Sequence, residues 1–241
     1  MKDRAAGASP QVYARAGGLL YLVVFIMAAV SMGLQSKLVV PGDAAATAAH
    51  IVASQSQWRL SVGAELIMFG CDIPLAVILF VLLRPVNENL ALLSALFRFA
   101  EAVIGSAIVL LHYTPVMLLA GAAYLDTIEP HQLQASALLS IKLYDYGFGI
   151  ALIPFGLHCI VLGYLIFRST YLPKTLGVLM ALAGACYVIN SFALFVAPGI
   201  AGATYVAMLI AGFPAELGLC LWLIVMGVNV PKWNAAVLAY S

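Results

Sequence analysis

Apolar residues run along this chain in stretches long enough to cross a bilayer, with polar residues gathered into the joints between them. Six such spans are predicted, at about 12–35, 58–84, 89–124, 132–168, 173–197 and 203–229. The third and fourth exceed what a bilayer needs, so they should tilt or project beyond it. Arg84-Pro85-Val86-Asn87-Glu88-Asn89 and Ser169-Thr170-Tyr171-Leu172-Pro173 form tight joints, where proline stops one helix and starts the next. Between the first two spans, Asp43 is a plausible N-cap for an Ala-rich stretch at 44–54. That stretch reads as a short outer amphipathic helix lying on the membrane or capping the bundle, or as a plain connector. Pro130 suits the first turn of another helix.

Composition agrees with the pattern. The 241 residues are 64% hydrophobic and 9% charged, with mean hydropathy +1.07. Soluble domains carry about 25% charged residues. The expected fold is therefore an all-α membrane protein, a six-helix transmembrane bundle forming one domain over 1–241. The formal charge of +1 gives no reason to expect a nucleic-acid partner, and no basic run or interleaved aromatic patch supports one. Cys71, Cys159, Cys186 and Cys220 all lie in apolar runs and read as buried thiols rather than a disulfide framework. Lys2, Arg4 and Arg15 precede the apolar run from Gly17 to Leu34, which is long enough to span and reads as an uncleaved first helix.

The cations set an expected orientation. With the N-terminus inside, the inner ends carry Lys2, Arg4, Arg15, Arg84, Arg168, Lys174 and Lys232, and the outer ends carry Lys37, Arg59 and Lys142. This asymmetry predicts that both termini of a multi-pass membrane protein lie in the cytoplasm.

Against this background, Asp72, Glu101, His158 and Glu216 stand out. Each lies about 15–19 Å from a helix end at about 1.5 Å per residue, so all four fall near the middle of a core about 30 Å thick. Ionisable groups in hydrocarbon normally face a partner or a cavity. A turn centred near residue 86 sets Asp72 opposite Glu101, and Arg98 shares a helical face with Glu101. Two carboxyls and one guanidinium leave a charge deficit. Either one acid keeps its proton, or protonated His158, a metal ion or a substrate amine completes the set. Asp72 or Glu101 is thus a candidate proton carrier. Pro74, Pro154 and Pro214 each fall near one of these residues and can shape a cavity by freeing backbone carbonyls.

A second polar tier is expected outward. Glu65 lies one heptad before Asp72, Tyr187 and Asn190 share a face, and Lys142 and Asp145 pair three residues apart. His112 and Arg59 sit at outer edges. Together they could line an outward-open vestibule. The plainer readings are a helix-locking Arg98–Glu101 pair, a solvated His112, and Tyr187 and Asn190 serving as glue between helices.

No H-E-x-x-H, nucleophile elbow or phosphate-cradling glycine loop occurs, so zincin, esterase and ATP-driven chemistry are unsupported. His50 and His131 fall in outer segments, which argues against a multi-histidine iron site. The stretches SKLVVPGDAAATAAHI (36–51), CDIPLAVILFVLLRPVN (71–87), FGLHCIVLGYLIFRSTYLPKTLGVL (155–179) and LCLWLIVMGVN (219–229) resemble a bacterial membrane-protein family, domain of unknown function 4386. The resemblance implies a six- or seven-helix bacterial membrane protein, expected as a multi-pass protein of the cytoplasmic (inner) membrane, and carries no residue roles.

Three functions are expected, and an enzyme is not the favoured one. The first is transport or binding of a small solute, proton or cation through a midplane chamber. The second is a lipid hydrolase whose Asp72, Glu101, His158 and Glu216 hold a divalent metal. The third is a membrane partner protein with a purely structural cluster. No cofactor is predicted, membrane lipid is the expected surrounding, and the oligomeric state is left open.

Overall fold

The computed structural model describes residues 9–240, so Lys2 and Arg4 lie outside the described residues. Eight α-helices follow one another: α1 Pro10–Gln35, α2 Ala44–Ala53, α3 Gln55–Leu83, α4 Glu88–Leu119, α5 Pro130–Arg168, α6 Lys174–Val196, α7 Pro198–Val225 and α8 Val230–Tyr240. Among the described residues there is no strand. Six of the helices, α1 and α3 to α7, are long and apolar enough to cross a membrane. The chain is an all-helical multi-pass membrane protein. Large apolar side chains such as Leu110, Val196 and Ile210 stay exposed, as hydrocarbon-facing positions do.

Three boundaries differ from expectation. α4 stops at Leu119, short of residue 124, because Gly121 takes the left-handed conformation (φ 69°) that closes helices. A single 3₁₀ turn, Ala123–Leu125, follows. α7 begins at Pro198 rather than 203, since proline's fixed φ suits a first turn. α8 was not expected at all. Its N-cap is Asn229, whose Oδ1 accepts from Lys232 N at 3.1 Å.

The chain forms two compact units. The first gathers Met1–Leu22, Asp72–Glu101 and Leu152–Ser241. Its α5 and α6 pack unusually closely. A Cβ built on Gly163 would lie 2.5 Å from the Gly177 carbonyl oxygen, and one on Gly156 would lie 2.7 Å from that of Gly184. Only glycine fits at such a backbone approach. Leu82, near the C-terminus of α3, has its otherwise orphaned carbonyl bound twice, by Tyr171 Oη (2.8 Å) and Trp233 Nε1 (3.0 Å). Burial pushes the Tyr171 phenol above its ordinary pKa. Gln11 clips the α7–α8 joint, donating to the Met226 carbonyl (3.0 Å) and accepting from Val228 N (3.0 Å).

The second unit comprises Val23–Cys71 and Ala102–Ala151. Its core joins Leu38, Ile51, Trp58, Val62, Phe69, Val109, Val116 and Ile141. Asp43 caps α2 as expected, accepting from Ala46 N at 2.9 Å. Ile51 of α2 is fully buried in this core, so α2 is a packed helix and not a bare connector.

Candidate functional site

Each of the six spanning helices sends a side chain into one buried cluster in the first unit. Arg98, on α4 and only 1% exposed, is its hub. Its Nη2 forms a close ion pair with Asp72 Oδ1 of α3. Its Nη1 approaches His158 Nε2 of α5 at 3.4 Å. The guanidinium also lies over the rings of Tyr21 of α1 (5.0 Å to the centroid) and Phe155 of α5 (5.3 Å). Desolvated cation–π contacts of this kind are worth about 2 kcal/mol.

Partners fix the state of His158. Its Nδ1 is 2.9 Å from the Ser94 backbone oxygen, which can only accept. Its Nε2 faces Arg98, which can only donate. The ring is therefore the neutral Nδ1–H tautomer, and Ser94 Oγ, 2.9 Å from the same nitrogen, completes its shell. His158 does not supply the missing positive charge.

Glu216 of α7 is held by two phenols. Tyr21 Oη donates to Oε2 at 3.0 Å, and Tyr187 Oη of α6 makes a close bond to Oε1. Tyr187 packs edge-on against Phe155, with centroids 5.0 Å apart. Glu101 of α4 lies in the electrostatic field of Asp72, Arg98 and Glu216. Its Oε2 is buried with no hydrogen-bond partner among the described residues, and so is Arg98 Nε. The cluster therefore holds three carboxyls, one guanidinium and a neutral imidazole. It is short of positive charge unless protons or cations are bound.

Asp72, Arg98, His158 and Glu216 thus come together, and Glu101 stands in the same charged group without a bond of its own. The expected Arg98–Glu101 pair is replaced by Arg98–Asp72, because the guanidinium reaches across the α3–α4 hairpin rather than along its own helix. Among the described residues, no three His, Cys, Asp or Glu side chains gather in a way that could hold a metal ion.

Members of the expected outer tier are divided between the two units, Glu65 and Asp145 in the second and Tyr187 and Asn190 in the first. Glu65 belongs to a separate cluster in the second unit. Its Oε1 accepts from Ser31 Oγ (2.7 Å), Gln35 Nε2 (2.9 Å) and Tyr144 Oη (2.8 Å), and its Oε2 pairs with His112 Nδ1 (2.8 Å). His112, expected to be solvated at an edge, is 1% exposed. It packs between Trp58 and Tyr144, with centroids 4.8 and 5.0 Å away, and meets Ser61 Oγ at 3.3 Å. Asp145 and Lys142 are exposed and make no ion pair with each other, because water competes for both. Tyr187 serves Glu216. Asn190 joins α6 to α7, accepting from Thr204 Oγ1 (3.0 Å) and donating to Met208 Sδ (3.5 Å). Arg59 remains at the surface on Tyr113 (2.9 Å).

Sequence reasoning missed Tyr21, Ser94, Ser31, Gln35, Tyr144 and the buried role of His112. Tyr21 carried a signal, since a hydroxyl amid an unbroken apolar run needs a partner. Ser94 carried one too, lying one helical turn from Arg98.

Residues 16–227 match the family model described as domain of unknown function (DUF4386). An uncharacterized protein of Archaeoglobus fulgidus is 30% identical over 156 residues, covering 65% of this chain and 76% of that relative. No solved structure matches. With most of its length inside the family match, this six-span helical membrane protein belongs to the DUF4386 family.

Proposed function

We propose that the protein binds and releases a proton at Glu101, and that this exchange is linked to transport or binding of a small solute within the first unit's cluster. One observation carries the reading. Of the buried carboxyls, Asp72 is held by Arg98, Glu216 by two phenols and Glu65 by four donors, while Glu101 Oε2 has no partner among the described residues. A buried carboxyl without a partner is free to exchange a proton without first breaking a bond. Intramembrane ionisable groups beside helix-breaking prolines are the arrangement transporters use.

A proton suits the site better than a metal ion. It needs a single acceptor atom, whereas a divalent cation needs several converging donors, and the guanidinium of Arg98 already stands between Asp72 and His158. The lipid-hydrolase reading loses its support on the same ground. The cations Arg84, Arg168, Lys174 and Lys232 cluster at helix ends and joints of the first unit, which supports a cytoplasmic-membrane protein with that end inside.

The test is infrared difference spectroscopy between acid and alkaline pH on protein reconstituted in liposomes. Wild type should show a titrating carboxyl C=O band that Glu101→Gln removes and Glu65→Gln leaves in place. Potential-driven acidification of the same vesicles, followed by an enclosed dye, should be lost in Glu101→Gln. An unchanged carboxyl band in that variant overturns the assignment. A lost band with wild-type acidification overturns the link to transport and leaves a structural cluster.

A further inference from the structure

A second site lies away from the acid cluster, where the joints of the first unit meet. A groove of about 380 Å³ runs there between the α3–α4 joint, the α5–α6 joint and α8. Arg168 and Thr170 line it. Both are exposed, and neither side chain has a hydrogen-bond or ion-pair partner among the described residues. The backbone N–H groups of Thr170 and Tyr171 likewise have no acceptor among the described residues. One guanidinium, one hydroxyl and two unpaired amides, all on residues that line a single recess, form a donor-rich set. Such a set suits a phosphate, whose oxygens accept from a guanidinium fork and from amides together.

The surroundings carry the same sign. Arg84, Lys174 and Lys232 are exposed at the ends of α3, α6 and α8, and Glu88 is the single acid on those joints. The rest of the lining includes the apolar residues Val86, Ala236 and Ala239. One residue before Arg168, Phe167 is exposed on α5, outside the groove's lining, with Lys174 Nζ over its ring (5.5 Å to the centroid). Donors and apolar residues in one lining match a lipid headgroup with its glycerol rather than a free ion. Basic pockets between membrane helices hold anionic headgroups in this way.

We infer that the groove lined by Arg168, Thr170 and α8 is a binding site for the phosphate headgroup of an anionic phospholipid. Arg168 binds the phosphate oxygens, Thr170 and the two amides orient them, and α8 closes over the glycerol.

The experiment titrates the purified full chain in detergent with phosphatidylglycerol and, separately, phosphatidylcholine, and reads bound lipid by native mass spectrometry. Phosphatidylglycerol should bind more tightly. Arg168→Gln should weaken it about fivefold and shrink its advantage over phosphatidylcholine, which offers Arg168 the same phosphate but whose choline the surrounding cations repel. Ala236→Phe, which fills the groove without touching its charge, should weaken both lipids. Equal affinity of wild type for the two lipids overturns the proposal, as does wild-type lipid preference in both variants. Complete displacement of phosphatidylglycerol by excess inorganic phosphate overturns the lipid assignment in favour of a free-anion pocket.

Discussion

Arg98 and Asp72 show at the scale of single residues why a buried pair must be judged as a pair. Removing one partner strands the other charge where water cannot reach it, which costs about 3–5 kcal/mol, whereas replacing both by apolar groups of similar volume is often close to neutral. Asp72→Ala should therefore lower thermal stability in detergent sharply, and Asp72→Leu with Arg98→Met should recover most of the loss. A double variant no more stable than Asp72→Ala would show that Arg98 acts through Tyr21 and Phe155 instead. The charged members of this cluster were legible in the sequence because ionisable groups are rare in apolar helices and so announce themselves. Tyr21 and Ser94 carried only a faint signal and Tyr144 none, since hydroxyls and aromatic rings occur throughout membrane helices and their partners are what distinguish them. His112 was misplaced for a related reason. Its depth could be counted along α4, but its shelter depends on Trp58 and Tyr144, which come from α3 and α5.

Helices were legible to within a few residues because apolar length and proline punctuation are local properties. α8 was not, because its place rests on Trp233 reaching the Leu82 carbonyl, a contact between residues far apart in the chain. The glycine pairs of α5 and α6 were equally hidden among 20 glycines, since their meaning depends on hairpin register. The pairs Gly163–Gly177 and Gly156–Gly184 straddle the joint symmetrically about residue 170. Gly163→Val should cost about 1–3 kcal/mol or more by overpacking. Gly70→Ala in α3, where an added Cβ meets nothing within 4 Å, should gain about 0.5–1 kcal/mol of helix propensity. Melting temperatures of the two variants in one detergent check both signs, and similar effects at the two positions would dismiss the close approach as a constraint.

Taken whole, the molecule carries two acid clusters of opposite character, one in each unit. Around Glu65 every carboxylate oxygen is engaged, and the group behaves as a polar rivet. Around Arg98 one carboxyl is left over. The orientation of the whole chain can be checked separately. A fluorescent protein fused after α8 should fluoresce and alkaline phosphatase at the same place should stay inactive, and the reverse result would place the Arg168 end outside. The glycine contacts between α5 and α6 also limit how the first unit can move. Two backbone contacts set seven residues apart on each helix act like two dowels, and the pair can neither slide nor rotate without losing both. Any working stroke must therefore carry α5 and α6 as one lever, with His158 and Tyr187 fixed upon it. The cluster then has two seams along which it can part, between His158 and Arg98 and between Tyr187 and Glu216.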